Sequence, residues 1–259
     1  MNGEGLLSEH VVLVTGGTSG IGLACARDAV ASGAQVVIAG RNVTAGESVA
    51  SEIGGQFLAY DAAVNGAGQQ VVDQVVASHG RLDGLVVSAA HTGGFHAAAD
   101  MPESEWRQVM AVSLDGAFAI AGAAAAAMRQ TGGGSIVFIS SVEGMTGAFG
   151  HAAYVTAKSA LFGLTRSMAM DEGPFGTRVN AISPGIIDSG RPDLEEAKRN
   201  AAHMRFWEGM TVLGRMGQPA EIASVSTFLL SAGASYLTGQ NIAVDGGWTI
   251  GYPRPENIT

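Results

Sequence analysis

Short apolar runs rich in valine and isoleucine alternate along this chain with longer segments of helical period. That alternation marks strand–helix–strand units, which build a parallel sheet covered by helices on both faces. The pattern predicts strands at Val11–Thr15, Gln35–Ala39, Gln56–Tyr60, Leu82–Ser88, Ser135–Ser140, Arg178–Ser183 and Asn241–Val244. They are apolar on both faces, as buried parallel strands are. Predicted helices are Gly20–Ser32, Thr44–Glu52, Gly66–Ser78, Glu103–Arg129, Ala152–Met170, Asp193–Met210 and Pro219–Leu230. No linker, longer repeat or second composition regime interrupts them, so we expect one doubly wound α/β domain over residues 1–259. Right-handed crossovers then align the carboxyl ends of the strands along one edge, where ligands bind.

Composition narrows the partners. The formal net charge is −9 and no Lys/Arg run is present, which argues against nucleic acid. Cys25 is the single cysteine, so no intrachain disulfide forms, which fits a cytoplasmic protein; it reads as a small buried helix residue rather than a reactive thiol. Met1 to His10 lacks signal-peptide character, and the apolar run Ala117 to Met128 is too short to span a bilayer. We therefore expect a soluble protein without a membrane partner. No His/Cys/Asp/Glu cluster has metal-site spacing, so no metal is expected.

Thr15-Gly16-Gly17-Thr18-Ser19-Gly20-Ile21-Gly22 leaves the first strand and enters the first helix. Glycines let backbone approach a pyrophosphate, and the helix N-terminus offers it unpaired N–H donors. The spacing is G-x-x-x-G-x-G, not the commoner G-x-G-x-x-G. A tight turn alone would also use such glycines. After the second strand the chain reads Gly40-Arg41-Asn42, with no carboxylate to bind ribose hydroxyls. Arg41 can instead grip a 2′-phosphate, so NADP(H) is expected over NAD(H), with Asn42 beside it. Asp61, with Ala62 after it, follows the third strand and either accepts from the adenine amino group or caps a helix.

Tyr154 and Lys158 are four apart and share a helix face, with Ser141 thirteen residues before the tyrosine. A lone tyrosine titrates near ~10; a nearby ammonium favours its phenolate, and a serine hydroxyl can polarise a substrate oxygen. In a reduction Ser141 orients the carbonyl, Tyr154 donates the proton, and Lys158 tunes the tyrosine and holds the nicotinamide ribose.

With Thr15–Gly22, Asp61-Ala62, Ser141/Tyr154/Lys158, Arg178–Gly185 and Thr238–Gly247 in place, the sequence from about His10 to Thr249 resembles the short-chain dehydrogenase/reductase family. The stretch Gly214–Pro219 resembles 3-oxoacyl-carrier-protein reductases and related sugar and alcohol dehydrogenases. The resemblance implies a Rossmann-type, doubly wound, parallel seven-stranded sheet, a nicotinamide cofactor and a homotetramer or homodimer. It also places Pro184, Gly185 and Ile187 at the nicotinamide. Two departures stand out. The family's Asn-Asn-Ala-Gly is Val87-Ser88-Ala89-Ala90 here, keeping backbone contacts from Ser88, Ala89 and Ala90 but not the amide side chains. Its catalytic Asn, which helps hold a proton-relay water, is Ser113, a residue still able to bond a water. Ser189 stands where the family often has threonine.

A substrate pocket is expected between the loop after the fourth strand, the loop between Ser141 and Tyr154, and a lid at about 188–210. Its candidates are His91, Glu143, Met145, Phe149, His151, Met204, Phe206 and Trp207, each of which could be an ordinary surface or packing residue. Alanines of helices 103–129 and 152–170 suit subunit packing as well as sheet packing. The tail 252–259 reads as extended. The expected activity is hydride transfer between NADP(H) and a small carbonyl compound or secondary alcohol. The alternative is a redox-inactive dinucleotide sensor of the same fold. An enoyl reductase would want a longer Tyr–Lys spacing, and dehydratases or epimerases longer chains.

Overall fold

A computed structural model describes residues 5–190, 195 and 198–251. All seven predicted strands form: β1 Val11–Thr15, β2 Gln35–Gly40, β3 Gln56–Ala59, β4 Gly84–Val87, β5 Ser135–Ile139, β6 Arg178–Pro184 and β7 Asn241–Val244. They make one parallel sheet in the order β3-β2-β1-β4-β5-β6-β7. Chain order reverses between β1 and β4, so a crevice opens beyond their carboxyl ends.

The helices are α1 Gly20–Ala31, α2 Val43–Ile53, α3 Ala67–His79, α4 Glu103–Met110, α5 Gly116–Arg129, α6 Glu143–Thr146, α7 Ala152–Glu172, α8 Ala201–Gly209 and α9 Pro219–Leu230. α3, α5 and α7 bury one sheet face with Leu13, Leu85, Ile120, Phe138 and Leu161. α1 and α9 bury the other with Val12, Val14, Cys25, Ile38, Val137 and Ile222. Cys25 is a packed helix residue whose thiol burial pushes up to about 12, so it stays a neutral core group. The alanines of α5 are mostly packed inward: Ala117, Ala121, Ala124 and Ala125 are buried.

Element ends follow local chemistry. Asn42 caps α2 by accepting from Ala45 N–H at 3.1 Å, and Gly54 ends it in a left-handed conformation (φ 71°). Pro219 opens α9 behind a Gln218/Glu221 capping box. Three expectations are corrected. Residues 103–129 are not one regular α-helix: α4 opens into a π segment, Ala111–Asp115, before α5. α6 was not predicted, because four residues carry no period. β4 starts at Gly84 rather than Leu82: Asp83 still bonds Val11 O (2.9 Å) and Ser135 N–H (2.8 Å) through its backbone, but its side chain takes the Val11 N–H (2.9 Å) and the Arg81 guanidinium, so the ladder goes no further back.

Helical residues 103–129 are long and apolar enough to cross a membrane by length and composition, but half of that apolar window is buried in the fold, where α5 packs on α3 and the sheet. The predicted helix Asp193–Met210 lies partly outside the described residues, and the tail 252–259 wholly so.

Candidate active site

The glycine turn is tight because backbone meets backbone there. A Cβ on Gly22 would stand 2.3 Å from Gly16 O, and one on Gly16 (φ 67°) 2.8 Å from Ala89 N. Thr15 Oγ1 ties the turn to the facing loop, accepting from Ser88 N–H (3.1 Å) and Ala89 N–H (3.3 Å). Ser19 is the N-cap of α1 with extended backbone, and its hydroxyl makes no capping bond, so the first helical N–H groups are left to another acceptor. The segment after β6 closes this cradle: a Cβ on Gly20 would lie 3.4 Å from Ser189 Cβ. Gly16 and Gly22 thus sit where backbone meets backbone and no side chain fits. The turn from Gly16 through Thr18, Ser19, Gly20 and Ile21 to Gly22, with the open N-terminus of α1, fits a pyrophosphate.

Arg41 is exposed just past β2 and makes no ion pair with a described residue. A Cβ on Gly40 would stand 3.4 Å from Thr18 Cγ2, bringing the end of β2 beside the turn. Asn42 spends its side-chain oxygen on capping α2. Asp61 accepts from Ala63 N–H at 3.0 Å, closing a turn; it is not the cap of α3, which is Gly66. Ala62 is pressed against Gly116, whose Cβ would stand 2.4 Å from Ala62 O.

α7 begins at Ala152, so Tyr154 lies in its first turn and Lys158 one turn further. Lys158 is 3% exposed; its Nζ donates to Ile139 O at 2.7 Å and sits 5.6 Å from the Tyr154 ring centroid. Burial lowers the ammonium's pKa to about 8. Ser140, whose part the sequence did not single out, donates its hydroxyl to Lys158 O at 2.8 Å and pins α7 to the end of β5. Ser141 Oγ accepts the Glu143 N–H at 3.1 Å, which leaves the serine's own proton to point elsewhere. Glu143 Oε2 lies 2.9 Å from His151 Nδ1. The His151 ring is tilted against Phe95 (4.1 Å) and edge-on to Tyr154 (6.0 Å).

Residues 16–249 match the family described as "Enoyl-(Acyl carrier protein) reductase". A 2,5-dichloro-2,5-cyclohexadiene-1,4-diol dehydrogenase of Sphingobium indicum is 38% identical over 94% of this chain and 98% of its own. An L-fucose dehydrogenase of Rattus norvegicus is 36% identical over 98% and 94%. A solved short-chain type dehydrogenase/reductase from Mycobacterium ulcerans superposes with a TM-score of 0.91 at 32% identity, covering 95% of this chain and 92% of that one. The chain belongs to the short-chain dehydrogenase/reductase family. It is accordingly an oxidoreductase, in a family that uses a nicotinamide cofactor.

In this dehydrogenase/reductase the residue in the family's asparagine position sits inside the π segment. Ser113 is 1% exposed; its Oγ accepts from His91 N–H (2.9 Å) and donates to His91 O (3.0 Å). These two bonds fasten the loop after β4 and occupy the hydroxyl's proton and one of its two lone pairs.

The pocket candidates separate into groups. Glu143 and His151 lie between Ser141 and Tyr154 as a bonded pair. Phe149 (88% exposed), Met145 and Phe206 stand out towards solvent. Trp207 stacks on His203 at 6.1 Å within α8. Met204 lines a cavity of about 520 Å³ with Asp188, Lys198, Glu208, Arg215 and Glu221; Ser141, Tyr154 and Lys158 do not line it. In that cavity the Arg215 guanidinium and the Gln218 N–H hold Glu221 down to about 2. His91 borders a separate hollow with Gly94 and Glu105. There the Gly94 N–H, reinforced by His96, holds Glu105 below the usual carboxylate range. Pro184, Gly185 and Ile187 follow β6, where a Cβ on Gly185 would stand 2.8 Å from Asp245 Cα and Ile187 pairs with Gly217.

Proposed function

We propose that this protein transfers hydride between NADP(H) and a secondary alcohol or its carbonyl, with Ser141, Tyr154 and Lys158 as catalytic residues. The observation that carries the reading is the buried Lys158 ammonium one turn below Tyr154, fixed by Ile139 O and beside the phenol ring. When bound, the nicotinamide accepts or supplies the hydride at carbon. The chain's own groups handle the oxygen. Ser141, its lone pair engaged by Glu143 N–H, donates its proton to the substrate oxygen. Tyr154 gives that oxygen a proton in reduction and removes it in oxidation, and the Lys158 cation favours the phenolate form that results.

The turn residues Gly16 to Gly22 would hold the pyrophosphate. Ser88, Ala89, Ala90, Asp61 and Ala62 would hold the adenosine half, and Pro184, Gly185 and Ile187 the nicotinamide end. Arg41, exposed with glycine before it, supports NADP(H), since its planar fork suits a 2′-phosphate. Relatives named for a cyclohexadienediol and a sugar are 38% and 36% identical, and a 3-oxoacyl-(acyl-carrier-protein) reductase of Chlamydia trachomatis is 33% identical; of the two substrate types we favour the hydroxylated one. Protein incubated with NADP+ or NAD+ and a panel of polyols and cyclic alcohols tests all of this. We expect reduced cofactor to accumulate faster with NADP+, and Tyr154→Phe to abolish turnover. Tight cofactor binding without turnover of any alcohol or ketone would favour the sensor alternative, and a preference for NAD+ would remove Arg41 from its role.

A further inference from the structure

Ser141, Tyr154 and Lys158 handle the proton, yet a hydrogen-bonded couple lies between the first two in sequence. Glu143 is two residues past Ser141 and His151 three before Tyr154, and their side chains meet at 2.9 Å. The glutamate is held at its backbone by Ser141 Oγ and the imidazole by Phe95 and Tyr154, so the couple is placed by the same contacts that place the catalytic groups. Both side chains are largely withdrawn, 23% and 14% exposed. Glu143 Oε1 and His151 Nε2 have no hydrogen bond to a described residue.

The chemistry of those two atoms is one-sided. A carboxylate only accepts, and Nδ1 carries the proton it shares with Glu143; where the ring is neutral, Nε2 accepts as well. Two acceptors beside the reacting centre match a partner with hydroxyl donors. They do not match the bare methylene and carbonyl groups of an acyl chain, against which a desolvated carboxylate would be left unpaired. We propose that Glu143 and His151 are specificity-determining residues that bind a hydroxyl adjacent to the reacting carbon, making the substrate a vicinal diol or its α-hydroxy carbonyl. The inference rests on the dehydrogenase reading given above and narrows its substrate.

Cyclohexane-1,2-diol and cyclohexanol probe it directly, because they differ by that one hydroxyl. We expect the wild type with oxidised cofactor to prefer the diol in kcat/KM. Glu143→Gln, isosteric but replacing one acceptor oxygen by a donor amide, should collapse that preference about 10- to 100-fold, mainly through KM for the diol. His151→Phe, which keeps a ring against Phe95, should do the same, and circular dichroism reports whether each variant is folded. Equal use of the two probes by the wild type, or an unchanged preference in folded Glu143→Gln, overturns the proposal. Calorimetric binding of each probe to cofactor-loaded protein reads the same discrimination without turnover. Diol binding that is lost in Glu143→Gln, in a protein that oxidises neither probe, would sustain the hydroxyl site while removing the dehydrogenase reading. Equal binding of both probes would remove the site.

Discussion

Lys158 is where one side chain most plainly gives up stability for chemistry. The protonated amine is the form that burial penalises. Below about pH 8 native and unfolded chains both carry the proton, and the native state bears the cost. Between about 8 and the ordinary 10.5 only the unfolded chain stays protonated, so this residue's contribution to stability rises with pH across that window. Lys158→Met should therefore be inactive yet more stable than wild type at pH 7, by about 1–3 kcal/mol after allowing for the unpaired Ile139 carbonyl. Denaturant unfolding at pH 7 and pH 9.5 checks this; the gap should narrow at the higher pH. Ser113 argues the opposite way. Ser113→Ala would strand both polar groups of His91 next to a buried helix and should cost about 1–3 kcal/mol in the same assay. The placing of Lys158 one turn from Tyr154 was legible because a helix fixes the meaning of a four-residue spacing. The bonds of Ser113 and Ser140 were not, since each joins segments 18 or more residues apart and leaves no local pattern.

At the level of elements, strand identity was readable because each strand is buried on both faces and so is apolar at successive positions. Boundaries were less so: the start of β4 depends on the Asp83 side chain taking the Val11 N–H, which only the partner strand reveals. The π segment is invisible for a related reason, as its residues keep the helical composition of the α-helices they join. α1 carries the clearest test at this scale. Gly22→Ala would set a methyl 2.3 Å from Gly16 O, forcing the turn away from the helix it leads into. We expect a loss of cofactor affinity of about tenfold or more in a fluorescence titration with NADPH, with the sheet intact by circular dichroism.

For the whole molecule, the two helix layers leave part of α5 and α7 uncovered. Phe118 and Met170 are exposed, and a Cβ on Gly122 would meet open space. A homotetramer built on these helices is the arrangement we expect. Light scattering should give four times the 26.2 kDa chain mass, and Gly122→Arg should lower it. The close approach of Ser189 to Gly20 has its own consequence for kinetics. Asp188, next in chain, pairs with Lys198, so α8's approach is tied to the residues that meet the glycine turn. A nucleotide seated on that turn would enter against Ser189, and we expect it to do so before the organic reactant. Turnover should then follow a compulsory order, nucleotide first on and last off, visible as purely competitive product inhibition between the two nucleotide forms.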